Sequence, residues 1–317
     1  METTANWLDI TNYEMLGSLG EGAYGVVSRA RDLMSKEEVA VKRLREADFS
    51  VEANREISIL NSAKGDNIVR LFGIARDHSI LDSTFLIFEL CQYDLRQLLR
   101  NKNFELTTAV QKSAIAQLLA GIMSLHKAKV IHRDLKPENI LVTKDGVLKI
   151  ADLGMARLLR LPRDRKLELT PNLGTLWYRP PEILLGDQHY RRSVDIWSAG
   201  CIMVELWTRT PLFRGSCELE LLLAIVETCG SISEARWPGV SELPLFQDML
   251  LPEDQPKVLR KRLLLDIKAQ HALKMIENCL CVDPFYRETA ATHLENKWLI
   301  NHRATPWQAL GQALMHL

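Results

Sequence analysis

The chain has 317 residues, enough for one large domain or two lobes. Apolar residues make up 47% and charged residues 25%, with 40 basic against 40 acidic side chains, a balance that gives no electrostatic case for direct binding to nucleic acid or a membrane surface. The longest purely apolar run, Leu221 to Val226, is far too short to cross a bilayer, and the opening M-E-T-T-A-N-W lacks the basic and apolar pattern of a secretory leader.

Residues 1–12 read as a short arm. From Tyr13 the pattern is strand-like and runs into Gly20-Glu21-Gly22-Ala23-Tyr24-Gly25-Val26-Val27, a G-x-G-x-x-G-x-V spacing. Glycine lets the backbone approach a phosphate and leaves amide N–H groups free to face it. The same spacing serves dinucleotides, but there the turn opens a helix. Here Val26-Val27-Ser28-Arg29-Ala30 continues as a strand, so the glycines are predicted to form a hairpin that covers phosphates. Val39-Ala40-Val41-Lys42 reads as a further strand ending in a phosphate-binding lysine. Helical spacing from Val51 to Ala63 places Glu56 where it can fix that lysine. Ile68 to Ile74 and Thr84 to Glu89 read as strands joined by a polar hairpin, and Asp94 to Arg100 and Ala109 to Lys127 as helices. Strands dominate before about residue 90 and helices after it. The predicted fold is therefore α+β: a small β-rich lobe with one key helix, a larger α-helical lobe, and a ligand cleft between them.

The stretch from Val130 to Gly154 carries the chemistry. Asp134, Asn139 and, beyond a hairpin centred on Gly146, Asp152 are what two-metal phosphoryl transfer needs. One carboxylate accepts the proton of the attacking hydroxyl; the carboxamide and second carboxylate hold Mg²⁺ against the phosphates. Pro137 argues against a continuous helix, so the segment reads as a loop. Ser193 through Trp207 reads as a buried helix, in which Asp195 needs hydrogen bonds. The six cysteines show no paired C-x-x-C spacing for zinc and read as buried free thiols of a reducing compartment.

In chain order, G-x-G-x-x-G-x-V, V-A-V-K, H-R-D-L-K-P-E-N, D-L-G and W-Y-R-P-P-E resemble the motifs of eukaryotic protein kinases. The resemblance covers roughly residues 13–305, with lobes at 13–90 and 91–305 and a short tail at 306–317. It implies ATP and Mg²⁺ as cofactors. Leu19, the Gly20–Gly25 loop, Val27, Ala40, Asp94 and Leu141 would contact ATP, Glu89 and Cys91 would offer backbone groups to adenine, and Phe88 would guard the back of the pocket. By the same resemblance Lys42 meets the α- and β-phosphates and pairs with Glu56. Asp134 is the catalytic base, Lys136 touches the γ-phosphate, and Asn139 and Asp152 bind the metal. Thr170 in the loop from Asp152 to Glu182 is the expected phosphorylation site, with Arg55, Arg133 and Arg157 receiving the phosphate. Gly174, Thr175 and Arg179 shape the substrate pocket, Asp195 braces the His132–Arg133 turn, and Arg287 pairs with Glu182.

Arg179 and the insert from Ser216 to Gln255 are similar to the cyclin-dependent kinase family, which implies protein substrates with Ser-Pro or Thr-Pro sites. The T-x-Y of MAP kinases is absent, since Pro171 and Asn172 follow Thr170. Blocks such as S-T-F-L-I-F-E-L-C-Q-Y-D-L most resemble family members of transcription elongation; W-P-G-V-S-E-L-P-L-F also resembles a cell-cycle-related, ciliary type. A nuclear site, with the cytoplasm as alternative, follows from the resemblance only. The chain departs from the family in several places. Leu153 replaces phenylalanine in D-L-G, and the linker from Lys42 to Glu56 is shorter. Ser50 stands where the family has proline, and Asn54 where an apolar side chain anchors the cyclin. Ala23 removes one inhibitory phosphorylation site while Tyr24 remains. A cyclin meeting the Ser50–Glu56 helix would have to satisfy the Asn54 amide; the alternatives are another activator, none, or a pseudokinase scaffold. A small-molecule kinase is disfavoured by the long activation loop and the peptide-binding W-Y-R-P-P-E.

Overall fold

Val39 and Val41 alternate with the half-buried Glu38, Ala40 and Lys42 at the period of a strand and are 4% and 2% exposed, so their segment buries one face. In the computed structural model, which describes residues 7–22, 25–44, 51–77, 83–159, 176–300, 306–315 and 317, that segment lies inside a six-stranded sheet. The strands are β1 (Leu8–Asp9), β2 (Tyr13–Gly22), β3 (Gly25–Asp32), β4 (Glu38–Leu44), β5 (Leu71–Arg76) and β6 (Thr84–Glu89), with helix α1 (Val51–Ser62) between β4 and β5. Their spatial order is β1-β5-β6-β4-β3-β2, antiparallel except where β1 runs parallel to β5. The glycine hairpin is β2–β3, with Gly22 opposite Gly25. Gly25 has φ +138°, and a Cβ there would lie 2.0 Å from the Arg43 carbonyl oxygen, so only glycine fits.

The larger lobe opens with β7 (Tyr93–Asp94) and helices α2 (Leu95–Arg100) and α3 (Thr108–Lys127). The loop read from Val130 to Gly154 resolves into β8 (Val130–Ile131), β9 (Ile140–Val142) and β10 (Leu148–Ile150), with a 3₁₀ turn at Pro137–Asn139. After β11 (Arg157–Leu158) come α4 (Pro181–Leu184), α5 (Ser193–Thr208), α6 (Glu218–Cys229), α7 (Leu259–Leu263), α8 (Gln270–Cys279), α9 (Ala290–Leu294), α10 (Lys297–Ile300) and α11 (Pro306–Leu314). Helix α5 is buried nearly all round, which forces its acids Asp195 and Glu205 to find partners within the protein. One apolar cluster joins Leu86 and Phe88 of the sheet to α3, α5, α6 and α8, so the lobes share a core beneath the cleft.

Three details differ from the sequence reading. Leu8–Asp9 pairs with Ala75–Arg76 and Ile10 packs with Val39, Phe85 and Ile87, so part of the arm belongs to the small lobe. A two-residue strand is too short to show a period. The tail after residue 306 forms α11 against α3, with Leu310 1% and Leu314 7% exposed beside Leu98, Phe104 and Val142. Gly146 (φ +80°) lets the β9–β10 turn approach that helix: a Cβ there would sit 2.1 Å from the Gly311 nitrogen. Leu310→Ala is expected to destabilise the lobe by about 2–5 kcal/mol, read as a lower Tm; an unchanged Tm would mean the helix does not dock. Finally, all six cysteines are free, but only Cys201, Cys229 and Cys279 are buried. Cys217 is exposed at the position just before α6, where its side chain makes no capping hydrogen bond, and Cys91 and Cys281 are half-buried. Among the described residues, no helix is long and apolar enough to cross a membrane.

Candidate active site

Between the sheet and the helical lobe lies a cleft of about 460 Å³, a size suited to a small-molecule cofactor. Leu19, Gly20, Gly25 and Val27 enter it from the β2–β3 hairpin, Ala40 and Lys42 from β4, and Phe88, Glu89, Cys91 and Asp94 from the connection between lobes. Leu141, Asn139 and Asp152 line the opposite side. Val69, Gln92, Tyr93, Gln97, Glu138 and Ala151 also line it and were not singled out in the sequence. Their one sequence signal is adjacency: Ala151 precedes Asp152, and Glu138 precedes Asn139. Ala23 and Tyr24 lie outside the described residues, as do the side chains of Glu21, Asn54, Arg55 and Glu56.

The connection between lobes is tied down by Glu89. Its carboxylate accepts from the Arg70 backbone N–H (2.6 Å) and from Lys149 Nζ (2.9 Å). Burial, then the Glu89 charge, pushes the Cys91 thiol up to about 12, so it is protonated at neutral pH. Asp94 caps α2 by accepting from the Gln97 N–H (2.8 Å), and burial raises its pKa.

Asp195 organises the catalytic loop from below. Its Oδ2 accepts from the His132 N–H (2.9 Å) and from His126 Nε2–H (2.8 Å), and its Oδ1 accepts from the Arg133 N–H (2.9 Å). Burial alone would raise the Asp195 pKa, but the His126 hydrogen bond and the neighbouring charges hold it below the usual carboxylate range. The bonds fix Arg133 at φ +71°, a left-handed conformation that a side chain adopts only under constraint. His132 then donates through Nε2–H to the Ala151 carbonyl (2.9 Å), which links the loop to the residue before Asp152.

The next residue of that turn is Asp134, which is half-buried and held by its neighbours. Lys136 Nζ donates to its Oδ2 at 2.7 Å, and Asn139 Nδ2 donates to the same oxygen at 3.2 Å and to the Asp134 carbonyl at 2.8 Å. Asn139 thereby turns its amide nitrogen to Asp134, which leaves its carbonyl oxygen as the atom for a ligand. Asp152, at φ +60°, has a buried Oδ1 without a hydrogen-bond partner. An orphaned carboxylate oxygen in the same cleft as an amide oxygen suits a hard divalent cation with oxygen ligands, so the residues fit Mg²⁺. Leu153 is 1% exposed in the main core, and its 3₁₀ turn (Leu153–Met155) packs against α1. The leucine thus fills an apolar site between Asp152 and α1.

Of the residues read as switch and substrate elements, Thr170, Gly174 and Thr175 lie outside the described residues. Arg133 donates through Nε to the Met155 carbonyl (2.6 Å) and through Nη1 to the Tyr190 hydroxyl (2.5 Å). Arg157 sits on β11, opposite Ile131 of β8. Arg179 lies 3.9 Å from Glu218; burial lowers its pKa, partly offset by the charges of Asp134 and Glu218. Glu182 and Arg287 form a bidentate pair at 2.6 and 2.8 Å, 1% and 0% exposed, with Arg287 also donating to the Cys281 carbonyl (2.7 Å).

Residues 13–299 match the family model described as the protein kinase domain. The chain is similar to cyclin-dependent kinase 9 of Danio rerio, 39% identical over 292 residues that cover 88% of this chain and 78% of that protein. Cyclin-dependent kinase 9-A of Xenopus laevis is 37% identical over 302 residues, 91% of this chain and 80% of the relative. Among solved structures, the yeast RNA Pol II CTD kinase CTDK-1 complex has a chain that superposes with a TM-score of 0.85 at 30% identity, covering 96% of this chain and 98% of that one.

Proposed function

The chain belongs to the protein kinase family, to its cyclin-dependent branch, and from that premise we propose that it phosphorylates serine or threonine followed by proline on proteins of the transcription machinery, in the nucleus, with a cyclin as activating partner. The yeast relative is an RNA Pol II CTD kinase, so an RNA Pol II CTD fragment is the natural first substrate. One observation carries the reading. The Asp134 carboxylate is held by Lys136 and by Asn139, and Asn139 lines the cleft together with Asp152, whose buried Oδ1 makes no hydrogen bond.

In this reading ATP lies under the glycine hairpin with Lys42 at its phosphates. Asp134 orients the substrate hydroxyl and takes its proton, while Lys136 meets charge on the transferred group. Asn139 and Asp152 would hold Mg²⁺, whose charge when bound offsets that of the phosphates. Phosphate on Thr170 would draw Arg55, Arg133 and Arg157 together, with Arg133 exchanging its Tyr190 contact for the stronger charged one. The cyclin would meet the helix at Ser50–Glu56 and accept or donate a hydrogen bond at Asn54. A pseudokinase scaffold gains no support from a site that keeps Lys42 and Asp152 in the cleft and Asp134 bonded to the cleft-lining Asn139.

The test is phosphorylation of paired Ser-Pro and Ser-Ala peptides with ATP and Mg²⁺, with and without co-expressed cyclins. The expected result is cyclin-dependent turnover favouring Ser-Pro by about tenfold or more, equivalent to about 1.4 kcal/mol. Equal rates on both peptides would remove the proline preference. ATP binding without turnover under every condition would favour the scaffold.

A further inference from the structure

A buried amide on α3, Gln117, has all of its hydrogen-bonding positions taken. Its Nε2 donates to the Gly146 carbonyl (3.0 Å) and to Ser113 Oγ (3.2 Å). Its Oε1 accepts from the Leu148 N–H (2.8 Å) and from Asn67 Nδ2 (3.1 Å). Asn67 donates again to the Leu148 carbonyl (2.9 Å), and its own carbonyl accepts from the Ile150 N–H (2.9 Å). The Val69 N–H completes the clamp by donating to the Ile150 carbonyl (2.9 Å). Asn67, Ser113 and Gln117 are all buried. One side chain therefore ties together the β9–β10 turn, strand β10 and the small-lobe loop that follows α1.

One end of this network is the tail helix. α11 meets the turn backbone to backbone: a Cβ at Gly311 would lie 2.5 Å from the Asp145 carbonyl oxygen, just as one at Gly146 would strike the Gly311 nitrogen. Leu310 and Leu314 seat α11 on Leu98, Val110 and Val142, and Val142 is the β9 residue opposite Leu148. A shift of the helix is therefore a shift of the hairpin. The other end of the network is Asp152, which follows Ile150 after a single residue. Its Oδ1 makes no hydrogen bond, so the carboxylate is placed by the backbone that leads into it. That backbone is held at Ile150 by Asn67 and Val69, and at Ala151, whose N–H donates to the Asn139 carbonyl (2.9 Å). A leucine at 117 would leave the Leu148 N–H, the Gly146 carbonyl and one Asn67 N–H without these partners in a buried site. Such groups recover partners only by admitting water or by moving the hairpin.

We infer that Gln117 is a positioning residue for Asp152 and that the tail helix α11 acts through it: the helix sets the β9–β10 turn, Gln117 carries that setting to β10 and the small-lobe loop, and β10 delivers the carboxylate. The inference rests on the kinase reading above in taking Asp152 as an acid that holds Mg²⁺. Two substitutions perturb the network, Gln117→Leu at its centre and Gly311→Ala at the tail. Ile276→Val on α8, a fully buried position outside the network, serves as the control that lowers stability alone. Amide hydrogen exchange of the nucleotide-free protein is expected to show Leu148 and Ile150 losing about tenfold or more of their protection in the two network variants and not in the control. Titration of ATP binding with Mg²⁺ is expected to require about tenfold more metal in Gln117→Leu, with a smaller excess in Gly311→Ala. In turnover, kcat is expected to fall in both with the KM for peptide little changed.

Each network variant is compared with the control at the same interval below its own Tm, so that a loss of stability is not mistaken for a loss of position. Unchanged protection at Leu148 and Ile150 in Gln117→Leu, or a metal requirement that rises no more than in Ile276→Val, would overturn the inference. A Gly311→Ala protein whose α11 amides exchange freely while metal binding stays that of the wild type would overturn the role of the tail. A wild type that binds ATP with no dependence on Mg²⁺ would instead count against the kinase reading, while the exchange measurement still reports on the network.

Discussion

Asp134→Asn is expected to slow phosphoryl transfer to a Ser-Pro peptide by about 10²–10⁴-fold, or about 3–5 kcal/mol in the barrier, with ATP affinity near that of the wild type. The substitution keeps the shape of the side chain and its place between Lys136 and Asn139. What it removes is the ability to take a proton from the substrate hydroxyl. It also takes away the negative charge that Lys136 and Arg179 face, so a modest tightening toward the anionic nucleotide is consistent with the role. The measurement is single-turnover transfer together with equilibrium nucleotide binding, which separates chemistry from affinity. Undiminished transfer would remove Asp134 from the role of base. Lost nucleotide binding would point instead to a collapsed loop.

Much of this site was legible in the sequence because the chemistry is written in short segments. Asp134, Lys136 and Asn139 are neighbours along the chain and stay neighbours in space, held by hydrogen bonds across two to five residues. The glycine hairpin was legible because Val26 to Ala30 cannot both continue as a strand and open a helix, and β3 runs on from Gly25. The hydrogen bonds of the buried Arg96 on α2 to Glu138, Tyr178 and Glu205 were not legible by the same means. These partners lie 42, 82 and 109 residues away in sequence, and no local pattern marks an arginine on α2 as buried. The arm and the tail were missed for a related reason. Each is a short element whose apolar residues, Ile10 in one and Leu310 and Leu314 in the other, have no meaning until the surface they cover exists.

Asp195 tests how far the catalytic loop depends on support from outside itself. Three donors converge on its two carboxylate oxygens: the His132 and Arg133 backbone N–H groups and His126 Nε2–H. Asparagine at 195 has nearly the same shape but one acceptor oxygen and one NH₂. If the oxygen takes the Oδ2 position, the NH₂ confronts the Arg133 N–H; if it takes the Oδ1 position, the NH₂ confronts the His132 N–H. His126 can adapt by changing tautomer, but the backbone groups cannot, so either flip leaves a buried N–H unpaired. Asp195→Asn is therefore expected to destabilise the protein by about 1–3 kcal/mol for that group, seen as a lower Tm. The larger effect falls on activity. Arg133 holds φ +71° only because both flanking N–H groups are anchored. With one anchor gone the turn relaxes, and Asp134, the next residue, moves with it. A displacement of about 1 Å at the base is enough to cost about 10²-fold in rate. The expected signature is a fall in kcat larger than the loss of stability explains, measured well below the Tm, with the KM for ATP little changed because the hairpin and Lys42 are untouched. A variant that melts early but turns over normally when folded would show that Asp195 serves stability alone, and that the loop keeps its geometry without it.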